Sequence, residues 1–177
     1  MNYYYLVASL PMLTLSKEPA LDADAFLALC RAHLTQDDQL AMEALLQRGG
    51  EGSNHPFIVA WRDDETRLRN AVARVRAGRR GVEAESYLRP VNGVDLALSH
   101  AVDDAFGRGT PAERELEIDR IRWHRIEALA GLDVFSPASV LAYGLKLKLA
   151  SRWAQLSTEA GRQRLEDWVT TAAVESP

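Results

Sequence analysis

Cysteine is almost absent from this chain. Cys30 is the only one in 177 residues, which excludes an intramolecular disulfide and any zinc site built from clustered thiolates. Lysine is nearly as scarce, three residues against 18 arginines, and aromatic residues make up 7%. No apolar run approaches the roughly 20 residues that a membrane-spanning helix needs. The charge balance is not basic either: the formal net charge is -4, which argues against a general nucleic-acid binder. The opening thirteen residues are apolar but lack the positively charged start of a secretory signal. With a free thiol and no export signal, the chain is expected in the cytoplasm.

What remains is an ordinary folding composition, 47% hydrophobic and 26% charged. A chain of this length buries roughly 70% of the surface it exposes when unfolded, without a metal or disulfide staple. Charge is unevenly placed. Residues 1–60 carry Lys17, Arg31 and Arg48 against seven acids, whereas residues 61–177 hold 18 groups of each sign.

Periodicity predicts an all-α protein, a compact helical bundle over residues 1–177 treated as one domain. Apolar residues at three- and four-residue spacing mark a helix over 22–34, with Asp22 as N-cap. Thr35-Gln36-Asp37-Asp38 resembles a capping box with Asp in place of Glu and opens a second helix. A third begins at Pro56 and carries Phe57, Trp61, Leu68, Val72 and Val75 on one stripe. Another runs through Leu96, Leu98, Val102 and Phe106. Thr110-Pro111-Ala112-Glu113 is the strongest local signal, an N-cap, a first-turn proline and a third-position glutamate, and predicts a helix to Gly131. Ser136-Pro137 repeats the device before 138–156, and Ser157 or Thr158 caps a last helix through Leu165, Trp168 and Val169. Flexible breaks are expected at 49–54 and 78–81. Residues 82–92 read as a loop or one short β segment, limited by Pro90. Residues 141–149 alternate as a strand would, but the Ser-Pro cap and the Leu141, Leu145, Leu149, Trp153 spacing favour a central helix.

No catalytic or cofactor signature is present. His33, His55, His100 and His124 are scattered without metal-ligand spacing, and no phosphate-cradling or nucleophile-elbow glycine motif occurs. Cys30 lies on an apolar stripe, where a thiol is inert. The acidic pairs Asp37-Asp38, Asp63-Asp64-Glu65 and Asp103-Asp104 read as helix-start or polar-face residues. The expectation is therefore no catalytic residues, no cofactor and no metal. An enzyme with a dispersed site would require a deep pocket placing His100 or His124 beside carboxylates.

Two features suggest docking. Seven arginines lie between Arg62 and Arg80, a solvated face or a surface for an acidic protein, with phosphate contacts the weaker reading. Trp123 stands among the charges of helix 112–130, as an interface anchor would, while Glu117/Arg120 and Asp119/Arg122 read as opposite-charge pairs stabilising an exposed face.

Three stretches carry a family resemblance. Tyr3-Tyr4-Tyr5-Leu6-Val7-Ala8-Ser9-Leu10-Pro11 resembles the start of a bacterial family encoded among the proteins of V/A-type ATPases. Glu117-Ile118-Asp119-Arg120-Ile121-Arg122-Trp123 and Phe135-Ser136 resemble the C-terminal half of that family. So does Val140-Leu141-Ala142-Tyr143 with Lys146, Leu147, Arg152-Trp153 and Leu156. The pattern is loosely similar to the funnel-like socket protein of V/A-type ATPases that couples the central shaft to the membrane ring. That resemblance implies an all-helical, non-catalytic component or accessory protein linking shaft and ring. Its implied partners are rotor-shaft and membrane-ring subunits, with no nucleic acid and no membrane span of its own, at the cytoplasmic membrane face. The alternative is a free-standing helical adaptor that binds an acidic protein through its Arg-rich face. The residues expected to meet a partner are Arg74, Arg76, Arg79, Arg80, Trp123, Lys146, Lys148 and Arg152.

Overall fold

In the computed structural model, which describes residues 3–93 and 95–156, the chain folds into seven α-helices and one 3-10 turn. The helices are α1 (Tyr4–Ser9), α2 (Ala23–His33), α3 (Gln36–Arg48), α4 (Pro56–Arg80), α5 (Leu96–Phe106), α6 (Pro111–Ala130) and α7 (Pro137–Gln155). No strand occurs among the described residues, so the fold is all-α. The helix expected through Leu165, Trp168 and Val169 lies outside them.

Most starts are where local chemistry puts them. Asp22 and Thr35 accept from the backbone N–H groups of Ala25 and Asp38. Thr110 and Glu113 close the full capping box of α6, and Ser136 accepts from Ser139 ahead of Pro137. The Thr35 cap differs in one respect from the expected box. The Thr35 N–H donates to the Tyr3 hydroxyl at 3.2 Å, so the reciprocal half comes from the N-terminus rather than from Asp38.

Three local expectations change. The break at 78–81 is not a break: α4 runs through Gly78 and stops only at Gly81, whose φ of 66° terminates it left-handed. Residues 49–54 form a tight turn, with Gly49, Gly50 and Gly52 at positive φ. The β segment near 82–92 is absent and a 3-10 turn, Glu85–Tyr87, stands there. Among the described residues no second strand is at hand to pair with it. Asn70, buried on α4, takes over that role: its Nδ2 donates to Arg89 O at 2.8 Å and its Oδ1 accepts from Arg89 N at 2.9 Å. Arg67 Nη2 adds a bond to Asn92 O at 3.1 Å.

Two apolar clusters are joined by two long helices. The larger gathers Leu6, Phe26, Met42, Leu45, Phe57, Ile58, Ile126, Leu141 and Leu147. The second gathers Leu68, Ala71, Leu98, Val102, Phe106 and Ile118. α4 gives its first turns to one cluster and its middle to the other, and α6 does the same in the opposite direction. The two run antiparallel, as the pairs Arg125–Asp64, Arg122–Glu65 and Arg76–Glu115 require. At 1.5 Å per residue α4 is about 37 Å long.

α7 is helical, as the cap and the four-residue spacing predict over the alternation. Seven of its residues are buried, among them Leu141, Leu145 and Leu147, because α2, α3 and α6 pack around it. Gly144 lets α3 approach: a Cβ there would stand 2.7 Å from Met42 Sδ and 3.2 Å from Phe26 Cε1. The N-terminus is tied in by Tyr3 N donating to Phe135 O at 2.8 Å and by Tyr143 OH donating to Pro11 O at 2.9 Å.

Candidate functional site

The eight residues expected to meet a partner fall in two places. Arg74, Arg76, Arg79 and Arg80 lie on the last turns of α4. Trp123, Lys146, Lys148 and Arg152 lie on α6 and α7. Six of the eight already have intramolecular partners.

On α4, Arg79 Nη2 donates to Phe106 O at 2.6 Å, and its guanidinium sits 5.1 Å from the Phe106 ring. That puts a cation on the C-terminal carbonyl of α5, where the helix dipole is negative. Arg76 pairs with Glu115 at 3.3 Å, both more than half exposed, a geometry worth at most about 1 kcal/mol. Arg74 and Arg80 are exposed and have no side-chain partner among the described residues.

On α7, Lys148 Nζ donates to Leu46 O at 2.9 Å and serves the last turn of α3 as Arg79 serves α5. Lys146 Nζ bonds Glu127 at 2.9 Å and lies 4.7 Å from the centre of the Trp123 ring. Trp123 itself is buried, and its indole N–H donates to Glu127 at 2.9 Å. Burial alone would raise the Glu127 carboxyl, but Lys146, Trp123 and His124 outweigh it and hold it below the usual range.

Asp119 is the centre of the second group and is fully buried. Its Oδ1 accepts from Arg122 and its Oδ2 from Arg152 and from Trp153 Nε1, the last at 2.7 Å. The expected exposed Asp119/Arg122 pair is therefore a buried one. Arg122 continues to Glu65 on α4 at 2.8 Å. Burial lowers the affinity of its guanidinium for the proton, and Glu65 and Asp119 more than restore it. One turn along, Arg125 bonds Asp64 and reaches Asp95 at 2.7 Å. Asp64, above all, raises Arg125, against the opposing effect of burial. Asp95 is held below its usual value by the Leu98 N–H, with burial opposing and Arg125 assisting. Two arginines of α6 thus clamp α4, the start of α5 and α7 through carboxylates. A one-residue slip of any of these helices would leave a charge buried and unmatched, which costs several kcal/mol.

This network is absent from the partner residues predicted from sequence. Its signal was an acid inside an apolar stripe: Asp64 between Trp61 and Leu68, and Asp119 between Leu116 and Trp123, each at three- or four-residue spacing. The run Asp63-Asp64-Glu65 is accordingly not a helix start but lies in the second and third turns of α4.

The other groups with catalytic potential lie apart. His33, His100 and His124 are exposed, and His55 caps α4 by accepting from Phe57 N at 3.3 Å. Cys30 is buried, and burial pushes its thiol up to about 12. Among the described residues, no three His, Cys, Asp or Glu side chains gather as a metal-holding group, and no helix is long and apolar enough to cross a membrane.

The largest feature near Arg76 and Arg80 is a groove of about 420 Å³ between α4, α6 and the 82–87 segment. Leu68, Val72, Ala77 and Ile118 form its floor, and Val82 and Tyr87 close one side.

No curated protein matches this chain, and no solved structure does. Residues 96–175, which include α5, α6 and α7 and with them the Asp119 network, match a family model described as "Protein of unknown function (DUF2764)".

Proposed function

We propose that this chain is a non-catalytic connector or accessory component of a bacterial V/A-type ATPase, at the cytoplasmic face where the central shaft meets the membrane ring. The observation that carries the reading is the meeting at Asp119. The resemblance rests on two separated stretches, 117–123 and 152–153, and Asp119 of the first takes hydrogen bonds from Arg152 and Trp153 of the second. The residues that resemble the ATPase-linked family are thus the ones that fasten α6 to α7. A connector between moving sectors needs rigid, charge-locked helices, and the clamps across α4, α6 and α7 supply them.

Affinity purification of the tagged full chain from its native host tests this. Rotor-shaft and membrane-ring subunits should co-purify at stoichiometric levels. Recovery of neither overturns the proposal.

A second reading, a free-standing adaptor for an acidic protein, draws on Arg74 and Arg80, which have no partner among the described residues. It predicts an acidic partner outside the ATPase that is lost when Arg74 and Arg80 are reversed to Glu.

A further inference from the structure

We infer that the groove between α4 and α6 is a docking site for an amphipathic helix with acidic flanks from a partner protein. The floor lies along a stripe of α4 that begins at Leu68 and ends at Arg80, with Ile118 of α6 opposite. Twelve residues at 1.5 Å each make it about 18 Å long, roughly three helical turns. A trough of this length between two helices accepts a third helix by its apolar face, with anchors at three- and four-residue spacing. Val72 and Ala73 are half-buried and Tyr87 is exposed, so apolar surface remains for an occupant to cover.

Charge selects the kind of helix. Arg69, Arg76, Arg80 and Arg122 line the groove against one carboxylate, Glu115. Arg122 is committed to Glu65 and Asp119, and Arg69 to Glu65. Arg80 has no partner among the described residues, and Arg76 holds Glu115 only in an open, solvated pair that a better acceptor displaces. A basic or neutral helix would leave these guanidiniums facing like charge or nothing, whereas Asp or Glu along its edges would pair with them. Arg74 and Arg79 lie outside this groove, against α5, so the Arg-rich stretch divides into a docking half and a half that faces α5. The inference rests on the chain being a docking piece but not on which complex it serves.

A display library of 16-residue helical peptides, randomised and panned on the immobilised full chain, tests it. Enriched sequences should carry apolar residues at three- and four-residue spacing flanked by Asp or Glu, and should bind more weakly at high salt. Arg76→Glu with Arg80→Glu should weaken a selected peptide at least tenfold. So should Ala73→Trp, which fills the trough without changing charge. Arg48→Glu, at the far end of α3, should leave binding unchanged, and thermal melts of all variants should stay cooperative. The inference is overturned by no enrichment, by enriched peptides without acids, or by affinity indifferent to both groove variants. It is equally overturned if Arg76 and Arg80 instead mediate binding to phosphatidylglycerol vesicles, or hold two copies of this chain together by mass photometry. Failed co-purification with ATPase proteins, alongside acidic peptide enrichment, would reject the ATPase reading and leave the groove's role intact.

Discussion

The indole N–H of Trp153, on the last turn of α7, donates to Asp119 Oδ2 at 2.7 Å across the α6–α7 interface. The same carboxylate, fully buried, faces Arg122 and Arg152. Removing its charge leaves Arg122 without its compensating partner on α6, and breaking a buried pair from one side typically costs about 3–5 kcal/mol. Asp119→Ala should therefore lower the urea-unfolding free energy by that order. Arg152→Ala, at a half-exposed position, should cost about 1 kcal/mol. The double variant should be less destabilised than the sum, because Arg152 has nothing to pair with once Asp119 is gone.

Glycine positions give a test that does not involve charge. Gly50 and Gly52 both have positive φ, 86° and 77°. A Cβ at Gly52 meets nothing within 4 Å, whereas one at Gly50 would lie 2.4 Å from Ile58 Cγ2. Gly52→Ala should cost about 1 kcal/mol for its left-handed backbone alone. Gly50→Ala adds overpacking against the buried Ile58, for a total of about 2–4 kcal/mol. Thermal melts of the two variants side by side would separate strain from collision.

Alkaline stability should fall before the exposed tyrosines finish titrating. Burial raises the Tyr143 hydroxyl from its ordinary 10.0 to about 12 and the Cys30 thiol from 9.0 to about 12. In both, the folded chain holds its proton more tightly than the unfolded chain. The stabilisation is complete below the unfolded values and is lost as pH rises from about 9 to about 12. Tyr143→Phe should lose the bond to Pro11 O, about 1 kcal/mol at neutral pH, yet show a shallower decline above pH 10. Equilibrium unfolding at a series of pH values reads both effects.

At the acid end the sign reverses. Asp95 and Glu127 are held below their ordinary values, so the folded chain binds fewer protons there than the unfolded one. Their contribution is present above the ordinary carboxylate range and disappears as pH falls through the folded values. Asp95→Asn keeps an N-cap acceptor for Leu98 but drops the charge opposite Arg125. It should cost about 1 kcal/mol at pH 7 and flatten the acid limb of the stability curve, which acid titrations of both proteins in urea would read.

Helix starts were legible because they are written locally. The Thr110 box and the Ser136-Pro137 pair need only their own next three residues. What escaped was long-range. α1 is a six-residue helix with no capping side chain, and the rest of the fold ties it in through Tyr3 against Asp38 and Thr35. The 82–92 segment takes its shape from Asn70, 19 residues away from Arg89. The arginines expected to await a partner divided for a reason sequence does not encode. Arg79 and Lys148 found the ends of other helices, and Arg152 found Asp119, whereas Arg74 and Arg80 found no partner among the described residues. Glu65 and Arg122 are 57 positions apart, and only the antiparallel lie of α4 on α6 brings them together.

α4 and α6 each lend side chains to both apolar clusters, so the two ends of the molecule share a spine. Fraying at one end strips turns from helices on which the other end leans. Heat or urea should thus meet a single melting unit, with the slowest-exchanging amides in the middle of these two helices, where the carboxylates and guanidiniums cross.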